Sequence, residues 1–78
     1  MTKVHLILDA RGLSCPMPIA KSMKAIKRIR VNQVLEILTS DPGSKEDIPT
    51  WARATGQELI SVEERGPEDF VFLVKRVK

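Results

Sequence analysis

Leu8-Asp9-Ala10-Arg11-Gly12-Leu13-Ser14-Cys15-Pro16-Met17-Pro18 turns the chain from a strand into a helix. The run before it, Lys3 to Asp9, alternates, with Val4, Leu6 and Leu8 on one face, and predicts a first strand. Ala10 to Ser14 is a short connection with Gly12 as its flexible point. The helix starts around Pro16 to Pro18, where proline is tolerated because the N–H it lacks would be unpaired anyway. Cys15 thereby falls at a helix N-terminus. Unpaired N–H groups and the helix dipole stabilise a thiolate there, so a thiol pKa below the free value of about 8.5 is expected. Pro16 and Pro18 each remove one donor, which leaves the Met17 and Ile19 amides to face the sulfur. The prolines are expected to hold the sulfur outward. The bland alternative is a small buried hydrophobe.

Working outward, Ile19, Met23 and Ile26 recur at helical spacing and predict an apolar face, with Arg30 to Gln33 ending the helix. Val34 to Ser40 reads as a second strand. Asp41-Pro42-Gly43-Ser44 is a turn into a second helix over residues 44–55. Ile48, Trp51, Ala52 and Thr55 form its buried side, Pro49 suggests an irregular first turn, and Gly56 suits the position after the helix. Gln57 to Glu64 and Phe70 to Val77 are two more strands, with residues 65–69 as a hairpin loop. The order β-α-β-α-β-β, with a right-handed crossover, predicts strands one and two parallel and a two-layer α/β sandwich. The 78 residues are expected to form a single domain.

Composition narrows the chemistry. One cysteine permits no internal disulfide, and no secretory segment or membrane-length apolar run is visible, so a cytoplasmic protein is expected. A net charge of +3 permits an acidic partner or RNA without demanding either. One tryptophan and two phenylalanines, with no tyrosine, are too few for a base-stacking platform, which argues against direct nucleic-acid binding. His5, the only histidine, lies roughly 13 Å up the strand from its end, too far to serve Cys15 as a base. One Cys and one His do not make a zinc site. No general base or cofactor motif is present, so the chain does not read as a self-sufficient enzyme.

The remaining charges divide between two readings. Arg11 is either a thiolate-stabilising or docking cation, or a solvated loop charge. Asp9 and Asp41 end the two parallel strands on the edge that holds Cys15, where α/β sheets favour chemistry. Strand-end structure for Asp9, and turn capping before Pro42 for Asp41, are the simpler explanations. Lys21, Lys24 and Arg28, flanked by Lys27, face away from the apolar side. They form a solvated surface or a dock for an acidic partner near Cys15.

These residues resemble the TusA/SirA-like sulfur-carrier family. The resemblance rests on residues 8–18, then Asp41-Pro42, Asp47-Ile48-Pro49 with Trp51, and Gly56, and so spans essentially the whole chain. It implies a fold like the C-terminal domain of translation initiation factor 3: a mixed four-stranded sheet in the order 1-2-4-3 with both helices on one face. It also implies that Cys15 of Cys-Pro-x-Pro carries a sulfane sulfur as a persulfide. A cysteine desulfurase or rhodanese would be the donor and a DsrE-like protein the acceptor. End uses in the family include tRNA thiolation, cofactor biosynthesis and sulfur oxidation. Some tRNA-thiolating members carry an acidic residue between the prolines and a basic one a turn into the helix. Here those positions are Met17 and Met23. A small RNA-binding module and a redox-sensing domain using Cys15 as a switch are the alternatives from other classes.

Overall fold

The computed structural model describes residues 3–14 and 16–78. The chain runs β1 (Leu6–Ala10), α1 (Met17–Ala25), a 3-10 turn (Ile26–Arg28), β2 (Val34–Thr39), α2 (Ser44–Ala54), β3 (Glu58–Gly66) and β4 (Asp69–Lys75). The four strands form one mixed sheet in the order β1-β2-β4-β3. β1 and β2 are parallel, while β4 runs antiparallel to both β2 and β3.

Period-two alternation sends Leu35 and Ile37 of β2, and Phe70, Phe72 and Val74 of β4, to one face, all at most 1% exposed. Ala25 of α1, Ile26 and Ile29 after it, and Ile48, Trp51 and Ala52 of α2 close the same cluster, and Leu6, Leu8, Ile19 and Leu59 pack at its margin. Both helices therefore lie on one side of the sheet in a two-layer sandwich.

α1 differs from its predicted face. Met23 is 50% exposed, whereas Pro18, Ser22 and Ala25 are buried. The buried stripe is made of small residues, and the Ser22 hydroxyl is satisfied by donating to the Pro18 carbonyl at 2.7 Å. The helix also ends sooner. It tightens to 3-10 at Ile26, and Asn32 then takes φ 74°, a left-handed conformation that asparagine tolerates, with its amide bonded to the Arg76 carbonyl.

α2 carries Glu46 and Asp47 in its first turn and Arg53 in its last, as the helix dipole favours. Pro49 sits inside it, yet the α-helix is continuous from Ser44 to Ala54, so the expected irregular first turn is absent. Ser44 takes the place on the buried side that was assigned to Thr55, which is exposed and turns its hydroxyl back onto the Trp51 carbonyl at 2.8 Å. Gly56 stops the helix at φ 76°. Added side-chain bulk there would also meet the Lys78 side chain at 3.0 Å. The predicted loop of residues 65–69 shrinks to a two-residue turn at Pro67 and Glu68, with register shifts between Leu59 and Ser61 and between Glu64 and Gly66. Lys45 braces α2 against this hairpin, bonding Glu64 at 3.3 Å and lying 5.8 Å above the Phe70 ring centre. Among the described residues no helix is long and apolar enough to cross a membrane.

Phe72 is fully buried at the centre of the cluster. Phe72→Ala is expected to lower the free energy of unfolding in a urea titration by about 3–5 kcal/mol. Val62→Ala, at a position 45% exposed, should cost far less. Equal losses would place the core elsewhere.

Candidate functional site at the carboxyl edge of the parallel strands

The parallel pairing sets Ala10 opposite Thr39, so β1 and β2 end side by side. Two segments leave this edge, the connection that runs into the first turn of α1 and the turn to α2. Cys15, the residue the sequence singles out, lies outside the described residues, as do Met1 and Thr2. The site is therefore defined by what surrounds that position.

The connection after β1 is pinned at two points. Arg11 forms a two-pronged pair with Asp9, Nε to Oδ1 and Nη2 to Oδ2 both at 2.9 Å, and its amide also donates to Oδ1 at 3.1 Å. The Arg11 side chain, and then its backbone N–H, hold the Asp9 carboxyl down from 3.8 to about 2; the same bond raises the Arg11 pKa. Next, Gly12 takes φ 82° and its amide donates to Ser40 Oγ at 2.7 Å, tying this loop to the end of β2. Ser40 was not among the residues singled out from sequence. Only the parallel register makes it adjacent to Gly12, 28 positions away.

The turn to α2 is self-capped. Gly43 N–H donates to Asp41 Oδ1 at 3.1 Å, and the Ser44 amide and hydroxyl both bond the Asp41 carbonyl, at 3.0 and 2.6 Å. The buried Thr39 hydroxyl reaches Ser44 Oγ at 2.6 Å. Asp41 also makes a further interaction.

At the start of α1, Pro16 is the N-cap, Met17 the first helical residue and Pro18 the second. Pro16 and Met17 are exposed and Pro18 is buried. The Met17 amide donates to the Ser14 carbonyl at 2.9 Å; the expectation that the Met17 and Ile19 amides face the sulfur falls on Cys15, outside the described residues. An open groove of about 370 Å³ begins at Pro16 and runs between the helices, with Ile19, Trp51 and Ala54 as its floor and Asp47 and Thr50 on its side. Trp51 is core, as expected at 7% exposure, yet it also forms this wall, and its indole N–H is buried with no hydrogen-bond partner among the described residues.

Lys21, Lys24, Lys27 and Arg28 are all exposed along α1 and the following turn. None has an ion-pair partner among the described residues. His5 sits at the opposite edge, exchanging bonds with Val34 through its amide at 2.9 Å and Nδ1 at 3.1 Å, so it locks the start of β2.

The sequence model of the family described as "Sulfurtransferase TusA" matches residues 6–76. Among curated proteins, the chain is similar to the putative sulfur carrier protein YrkF of Bacillus subtilis, 46% identical over 66 residues. The match covers 85% of this chain but only 36% of that protein. It is also similar to the sulfur carrier protein TusA of Allochromatium vinosum, 42% identical over 69 residues, covering 88% of this chain and 90% of that one. Among solved structures, a SirA-like protein from Desulfitobacterium hafniense superposes with a TM-score of 0.81 over 95% of this chain and all of that one. At 19% identity that likeness concerns the fold.

The Asp9–Arg11 pair has a definite pH signature. Asp9 is harder to protonate when folded, so the pair adds to stability above the ordinary 3.8 and that contribution fades as pH falls towards about 2. Both groups are fully exposed, so the effect on stability should be small. A carboxyl NMR titration should place the Asp9 midpoint near 2, and Arg11→Ala should return it to about 3.9. An unchanged midpoint in the variant would show that Arg11 does not hold the carboxylate.

Proposed function

We propose that this chain, which belongs to the sulfurtransferase TusA family, is a sulfur carrier whose Cys15 accepts a sulfane sulfur as a persulfide and hands it to an acceptor protein. The observation that carries this reading is that the sequence holds one thiol, Cys15, three residues after the anchored Gly12 and two before the first helical residue, Met17. The Cys15 thiolate attacks the outer sulfur of the donor's persulfide. A new S–S bond forms as the donor's S–S bond breaks, and the donor cysteine leaves as a thiolate. Delivery repeats the exchange with the acceptor's thiolate, and no electrons are gained or lost overall.

Such a relay needs an intermediate that survives between partners. A second thiol within reach would attack the persulfide, close a disulfide and release sulfide. The chain supplies none. A helix N-terminus favours the anionic sulfur. Pro16 and Pro18 fix the direction in which the chain enters α1, and Asp9, Arg11, Gly12 and Asp41 hold the two loops that flank it. In this assignment Arg11 is a positioning residue, because Asp9 engages its guanidinium.

Donor and acceptor must each bring a cysteine to the same place. Exposed Met17 and the groove beside Pro16 offer them an apolar landing surface, and Lys21, Lys24 and Arg28 add positive charge. A cysteine desulfurase or a rhodanese suits the donor role and a DsrE-like protein the acceptor role. The whole of residues 1–78 acts as one TusA/SirA-like domain, and the chemistry belongs in a reducing compartment such as the cytoplasm.

Incubation with a cysteine desulfurase and cysteine, or with a rhodanese and thiosulfate, is expected to add one sulfur atom to the intact mass. A thiol reductant should remove it, and folded Cys15→Ser should not acquire it. If no sulfane donor tried loads the wild-type protein, or if Cys15→Ser loads equally, the carrier reading is wrong.

A further inference from the structure

A second cavity lies away from Pro16, at the far end of α1. It encloses about 200 Å³ between the ends of both helices and the end of the chain. Its walls are Met23, Ile26 and Trp51, and its cations are Lys27, Arg76 and Lys78. Such a volume falls below the roughly 300–1,000 Å³ of small-molecule and cofactor pockets and suits one large side chain.

Two features set it apart from an ordinary surface dimple. First, Met23 stands 50% exposed beside it, one turn from Ile19 and Ile26, which pack against the core. Second, its cations converge from distant parts of the chain. A helix C-terminus favours Lys24, Lys27 and Arg28 through its dipole, but that does not account for Arg76 and Lys78, which follow β4. The Lys27 and Lys78 side chains have no ion-pair partner among the described residues. Arg76 is held in place by main-chain oxygens, Nε to Lys78 at 3.0 Å and Nη1 to Ile29. Gln57 fixes the same segment, accepting from the Val77 and Lys78 amides at 2.7 and 3.2 Å. The rim is thus partly pre-organised, and its charge calls for carboxylates.

We propose that this cavity is an anchor site for a partner protein, filled by one large apolar side chain of an acidic segment whose flanking carboxylates meet Lys27, Arg76 and Lys78. The proposal rests on the carrier reading for its purpose. Met23 lies about 9 Å along the helix from Met17, at 1.5 Å per residue. A partner gripped there is held within reach of the first turn of α1. Net-positive Met17 to Arg30, which contains no acidic residue, would steer the same partner in.

Trp51 is the only tryptophan and lines both this cavity and the groove beside Pro16, so its fluorescence reports occupancy of either, and the Lys27 and Lys78 variants assign the signal to this cavity. The probe is a short synthetic peptide with one phenylalanine flanked on both sides by glutamates and no tryptophan, titrated into the full chain. Expected is a saturable change in Trp51 fluorescence, with affinity weakened about threefold or more by Lys27→Glu or Lys78→Glu, as reversing a rim charge that complements the partner slows association. Both positions are exposed, and circular dichroism verifies folding. Arg65→Glu, the same charge change at the far end of the β3–β4 hairpin, should leave binding nearly unchanged. A peptide with alanine in place of phenylalanine should leave Trp51 unchanged. Three results would overturn the proposal: the alanine peptide binding as tightly, Arg65→Glu weakening binding as much as Lys27→Glu, or 4-phenylbutyrate or a single-stranded RNA binding at least as tightly as the peptide. Persulfide loading of Cys15 from a small-molecule polysulfide is measured alongside. Loading without peptide binding removes the anchor site and leaves the carrier, and peptide binding without loading does the reverse.

Discussion

The parallel pairing of β1 with β2 is the constraint on which the molecule turns. A parallel pair cannot be joined by a hairpin, so the chain must leave the end of one strand and cross back to the start of the next. α1 is that crossing. Its direction therefore sets its first turn, and the residue before it, on the edge where both strands end. Ala10 opposite Thr39 fixes that edge to the residue. The Gly12–Ser40 bond then ties the loop after β1 to the end of β2, and the Asp41 bonds fix the turn that follows. Antiparallel β4 and β3 complete the sheet and supply most of its buried face, since Phe70, Phe72 and Val74 all come from β4. The energetics lie in that face, and the chemistry lies at its rim.

Much of this was legible in the residues. Alternation and helical spacing gave the element order, and proline and glycine marked where α1 begins and α2 ends. The departures share a cause. Periodicity says which positions share a face but not how close the helix comes to the sheet. Ile19 and Ile26 do face the core, but Met23 between them stands exposed, and Pro18, Ser22 and Ala25 are buried in the helix beside them. Ser22 is acceptable there because its own helix satisfies its hydroxyl, a fact that polarity scales miss. Thr55 fails as a core residue for a related reason. Its hydroxyl bonds the last turn's carbonyls and caps the helix rather than filling the interior.

Contacts across distance in sequence were the least legible. Asp9 and Arg11 were both visible as charges at a strand end, and their two-residue separation is compatible with a pair, but only the geometry shows the fork that holds Arg11. Ser40 needed the strand register. The convergence of Lys27 with Arg76 and Lys78 needed the whole fold, because nothing in composition joins a helix end to the chain's last residues. The two exposed methionines of α1 stand apart, Met17 at its first turn and Met23 at the far cavity.

The central claim is that the sulfur moves from protein to protein through Cys15. The most direct test is a chase with labelled sulfur. The chain is loaded with sulfur-35 by a desulfurase, separated from the donor, and mixed with a DsrE-like acceptor in the absence of any other sulfur source. The label should leave this chain and appear on the acceptor's cysteine in matching amount, with little released as free sulfide. Label that stays on the chain in the presence of every acceptor tried, or that escapes as sulfide at the same rate with and without acceptor, would contradict the account.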